Sequence, residues 1–163
     1  MAARAQSTGW SMEMMDPPRL SSRQWNMVGI LGVVFIVMAV LQVIGFGDFK
    51  DWLKGVGLGG PTVWAVVLIV AELIAAAGFF KLRLSAFARM LSSLAALFVA
   101  GFWFVENLRL ISAGKAAVVQ NSGFFGKYLH QTPGWWTVVE VSILLFGVIY
   151  GLEVAQMARA KKK

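Results

Sequence analysis

Apolar and polar stretches alternate along the chain, and the lengths of the apolar ones set the fold. Asn26 to Phe46, Pro61 to Phe80, Leu84 to Val105 and Trp135 to Ala158 are long apolar runs. At 1.5 Å rise per residue, about twenty residues of helix cross a hydrocarbon layer of about 30 Å. The pattern predicts an all-α protein, an integral membrane bundle of four transmembrane helices with outer interfacial segments. Residues 1–24 read as an N-terminal tail, 25–158 as the transmembrane domain (spans 26–46, 61–80, 84–105 and 135–158, outer loop 107–133), and 159–163 as a basic tail.

The connections carry their own signals. Met1 to Gln24 is polar, includes Pro17-Pro18 and reads as irregular. It does not read as a secretory signal, because the apolar run that follows is too long and no small-residue cleavage site closes it. Between the first two spans, Phe46, Phe49, Trp52, Leu53 and Val56 recur at helical spacing, with Asp48, Lys50, Asp51 and Lys54 on the other face. This predicts a short amphipathic helix lying in the membrane surface. Glycines between Gly55 and Gly60 then turn the chain back at Pro61. The few residues around Lys81 and Arg83 force spans two and three into an antiparallel hairpin. In the long connection from Asn107 to Pro133, LRLISAGKAAVV and GFFGKYLH flank QNSG. It reads as an ordered outer layer that docks a partner or lies over the bilayer and bundle.

Small residues mark where helices approach closely. Ala71, Ala75 and Gly78 share one flank of the second span; Ala88, Ser92, Ala96 and Ala100 form a stripe on the third; Gly147, Gly151 and Ala155 repeat the spacing on the fourth. Gly29, Gly32 and Ala39 offer contact points on the first.

Composition narrows the class. With 58% hydrophobic and only 14% charged residues, the chain is too apolar for a soluble domain of its size. The net charge of +7 does not point to nucleic acid, because the basic residues flank the apolar runs. Arg4, Arg19, Arg23, Lys81, Arg83, Arg89, Arg159 and Lys161 to Lys163 lie on the side of the termini, ten against five (Lys50, Lys54, Arg109, Lys115, Lys127) on the other. The positive-inside rule therefore puts both termini in the cytoplasm, with Trp52, Trp64, Trp103, Trp135 and Trp136 at the outer interface.

Cysteine is absent and His130 is the one histidine, outside every span. Disulfides, thiol redox chemistry, iron–sulfur ligation and bis-histidine haem ligation by this chain alone are thereby excluded. Met12, Met14 and Met15 carry soft sulfurs of the kind that bind Cu(I), but lack a histidine or cysteine beside them. They read as part of the tail, and the sequence assigns the chain no metal.

The polar groups inside the spans are few. Glu72 falls near the middle of the second span, where a charged acid costs about 2.5–3.5 kcal/mol on insertion scales. Glu140 lies closer to the outer boundary of the fourth. Two readings stand for this pair. An acid in low dielectric can donate as well as accept a proton, so the two could handle protons or contact a quinone headgroup. Alternatively, the carboxyl holds helices together through Gln42, Ser92, Ser93 or a backbone carbonyl. Glu106 and Glu153, near span ends, read as solvated or paired with local basic residues.

The segment FGDFKDWLKGVGLGGP leading into span two, the run AELIAAAGFF, and the basic turn into KLRLSAFARMLSSLAALFVAGFWF give a chain that resembles the DoxX family of small bacterial membrane proteins, over roughly Asn26 to Ala158 and with Glu140 also matching. The resemblance implies four spans in the bacterial inner membrane and a non-cofactor subunit of a membrane oxidoreductase or electron-transfer system, quinone-linked in some members. The longer tail and the loop at 107–133 depart from the family pattern, and the lack of cysteine separates the chain from the thiol-handling MauE branch. The leading expectation is a subunit that anchors or supports such a complex, docked through 107–133 and the small-residue faces, with no cofactor bound by this chain alone. A quinone-interacting or proton-handling subunit, with quinone or structural lipid near Glu72, Gln42 and Ser92, is the alternative. A small transporter or channel is a third, for which the spans offer little polar lining.

Overall fold

A computed structural model describes residues 14–114, 125, 128, 132 and 134–160. In chain order they form β1 (Met14–Met15), α1 (Ser22–Ile44), α2 (Phe46–Gly55), α3 (Pro61–Phe79), β2 (Leu84–Ser85), α4 (Ala86–Ser112) and α5 (Trp135–Ala160). Four of the helices, α1, α3, α4 and α5, are long and apolar enough to cross a membrane.

Helix starts follow local chemistry. Ser21 caps α1 in a capping box, its hydroxyl accepting from the Gln24 amide while the Gln24 side chain accepts from the Ser21 N–H. The Ser85 hydroxyl accepts from the Ala88 amide at the start of α4. Gly60, at φ 67°, makes the left-handed turn that sets Pro61 at the head of α3.

The long helices close a ring: α1 packs on α3, α3 on α4, α4 on α5, and α5 back on α1. The core is apolar and aromatic, with Phe35 stacked on Phe79 at 5.8 Å between ring centroids. Outward faces carry Ile30, Val33, Val66, Val70, Ile143 and Phe146, an exposed apolar belt that suits contact with a lipid bilayer.

α2 packs on the protein rather than only on a membrane surface. Phe49, Leu53 and Val56 are buried, and the Phe49 and Trp52 rings lie 6.2 and 5.5 Å from that of Trp103. The reason is length. Gln42, two residues before the end of α1, meets Glu72, eleven residues into α3. At 1.5 Å per residue, α3 therefore continues roughly 13 Å beyond the end of α1, and α2 folds into the space left beside it.

Two further boundaries and one tryptophan differ from the hydropathy pattern. Residues 14–16 of the tail are held: β1 pairs antiparallel with β2, Met14 opposite Ser85 and Met15 opposite Leu84, and Asp16 pairs with Arg83 at 3.2 Å. α4 runs on to Ser112, so Asn107, Arg109 and Leu110 belong to a helix that rises past the core instead of to a loop. Trp103 is fully buried beneath α2, whereas Trp135 and Trp136 are exposed. The rest of the predicted outer loop, including GFFGKYLH apart from Phe125 and Tyr128, lies outside the described residues, as do Met12, His130 and the terminal lysines.

Candidate functional site

Glu72 and Gln42 are both fully buried, and the Gln42 Nε2 donates to Glu72 Oε1 at 2.9 Å. α3 places the acid on its inward face with Ala65, Leu68, Ala75 and Ala76, and α1 presents Gln42 from the same side as Phe35, Met38 and Ala39. Trp103, on α4, lies beside the same carboxyl. Three helices thus converge on one carboxyl, with Phe49 of α2 against the Trp103 ring. The second oxygen, Glu72 Oε2, is buried and has no hydrogen-bond partner among the described residues.

The serines expected to hold the acid are engaged elsewhere. Ser92 donates to the Ala75 carbonyl at 3.0 Å, bridging α4 to α3, and Ser93 donates to Arg89 O in its own helix at 2.9 Å. Of the sequence candidates around Glu72, the structure brings Gln42 to the carboxyl and leaves Ser92 a turn away, at the helix contact.

That contact is close. A Cβ added to Gly78 would lie 2.1 Å from Ser92 Oγ and 3.0 Å from its Cβ. Ser92, Ala96 and Ala100 are buried along α4, with Ala88 half-buried at the end of the stripe. On α3, Ala75 is buried while Ala71 lines an outward apolar groove with Val67, Leu91 and Leu94. On α5, Gly147 and Gly151 admit Leu31 of α1, and Gly151 also the ring of Phe79 of α3. Gly32 admits the Phe80 ring, whereas nothing approaches Gly29 within 4 Å.

Glu140 is not brought to Glu72. It is half-buried on a cavity of about 280 Å³ with Ile30, Leu31, Ile143 and Phe125, between α1 and α5, and Glu72 is not part of that lining. Glu106 is buried and paired with Arg109 at 2.6 Å, and the same guanidinium donates to the Val56 carbonyl, tying the far end of α4 to the end of α2. Glu153 is exposed.

Trp103 is the site residue that sequence reading assigns to the interface. A signal was present: it continues the spacing of Ala96 and Ala100, three residues on, and so falls on the buried face. Comparison with protein-family models, with curated proteins and with solved structures finds no match to this chain.

Proposed function

We propose that this chain is a DoxX-like integral membrane subunit of the bacterial inner membrane, with both termini cytoplasmic, that anchors or supports an oxidoreductase or electron-transfer complex and holds no redox centre of its own. The observation that carries the reading is the enclosure of Glu72. A working intramembrane acid needs an approach for its substrate, and here Gln42, Trp103 and α2 occupy the surroundings of the carboxyl. A polar bond between α1 and α3 in an apolar interior fixes how the helices sit against each other, which is what a scaffold requires. The exposed apolar belt supplies lipid contact and room for partner helices, and the charged face of α2 supplies a polar surface at its end of the bundle. Extraction of membranes in mild detergent should recover the chain together with larger partners. Isolation as a lone monomer at every detergent strength would count against the proposal.

A second reading, contact with a quinone headgroup and proton transfer at Glu72, has the free Oε2 atom in its favour. In that reading Glu72→Gln abolishes quinone-dependent turnover of the assembled complex. In the supporting-subunit reading turnover survives the substitution once assembly is achieved.

A further inference from the structure

Two arginines share a cavity at the end of the bundle that carries the chain termini. The cavity has a volume of about 250 Å³ and lies among α1, α3, α4 and α5, opposite the end at which α2 packs. Arg89, in the first turns of α4, lines it and is 5% exposed; Arg159, in the last turn of α5, lines it from the other side.

Among the described residues no carboxylate pairs with Arg89 or Arg159; the Asp16 carboxylate is taken by Arg83, and Arg89 Nη2 reaches only the Asp16 backbone carbonyl, at a long 3.4 Å. The Arg89 Nε is buried and has no hydrogen-bond partner among the described residues. Arg89 is a buried cation without a counter-ion among the described residues, which is costly, and Arg159 brings a second positive charge to the same cavity. Such a pair is stable when an anion sits between its members, and guanidinium forks match the paired oxygens of a phosphate.

The remaining walls say what else the anion carries. Ser93 and Gln156 add polar groups beside the arginines, while Trp25, Val28 and Phe79 make an apolar side. Lys81 sits over the Trp25 ring at 5.3 Å, a further cation near the mouth. A free phosphate would leave the apolar wall unused. We infer that the Arg89–Arg159 cavity binds the phosphate of an anionic phospholipid, with an acyl chain along Trp25 and Val28. The site is separate from Glu72 and does not depend on what the protein assembles with. It does agree with the inner leaflet, where anionic lipids are concentrated.

The test is native mass spectrometry of the full chain released from micelles doped with phosphatidylglycerol or phosphatidylcholine, alongside thermal unfolding with each lipid and with inorganic phosphate. One phosphatidylglycerol per chain should survive release, held about tenfold more tightly than phosphatidylcholine, the scale of one charge-assisted contact. Arg159→Gln, on an exposed final turn, should fold normally and lose about tenfold in affinity, and Arg159→Lys should restore part of it. Arg89→Gln should lose more. Equal retention of the two lipids, or no change in Arg159→Gln, would overturn the inference. Stabilisation by inorganic phosphate that phosphatidylglycerol does not exceed would overturn the lipid assignment and leave free phosphate as the occupant.

Discussion

Gln42 and Glu72 meet at 2.9 Å in the buried interior between α1 and α3, although one lies two residues from the end of its helix and the other near the middle of its own. Gln42→Leu removes the donor and strands an acid oxygen in apolar surroundings, so it should destabilise the bundle by about 1–3 kcal/mol. Adding Glu72→Leu removes the stranded group and should recover much of the loss. A double-mutant cycle by unfolding in detergent should give a coupling of about 0.6–1.7 kcal/mol, the range for interhelical hydrogen bonds in membranes.

Gly78 is required by proximity to Ser92. Gly78→Ala should cost about 1–3 kcal/mol, because its Cβ would overlap Ser92 Oγ in a packed interface. Ser92→Gly in the same chain should return part of that loss. Gly101→Ala is the control: nothing lies within 4 Å of an added Cβ, and an alanine within a helix should be neutral or stabilising by about 0.5–1 kcal/mol. Unfolding midpoints of the three variants check the ordering.

The helices were legible because each apolar run exceeds the length a membrane crossing needs, and the small-residue stripes on α4 and α5 were legible because they repeat every fourth residue. Glu72 and Gln42 stood out for being polar amid hydrocarbon, but which polar group answers which depends on how far α1 slides along α3, and spacing within one helix carries no information about that. The same offset explains α2. Its apolar face is plain in Phe49, Leu53 and Val56, but an apolar face suits lipid and protein equally, and only the early end of α1 opens the space that α2 fills. Arg89 reads as a basic flank until the fold turns it into a cavity with Arg159.

α2 is part of the folded core, and its removal from the core should be costly. Leu53→Ala should destabilise by about 2–5 kcal/mol, as for a large aliphatic side chain lost from a packed interior. Asp51→Ala, on the exposed face of the same helix, should stay within about 0.5 kcal/mol. Similar small effects for both would place α2 on lipid alone.

Enclosure of Glu72 can be read directly by treating membranes with an apolar carbodiimide and mapping modified carboxyls by peptide mass spectrometry. Glu140, which lines a cavity between α1 and α5, should be modified, while Glu72, shut in by Gln42 and Trp103, should remain intact until the bundle is unfolded. Modification of Glu72 in the folded protein, as fast as or faster than that of Glu140, would mean that the acid is open to ligand or lipid and that its place in the bundle is not the closed one described.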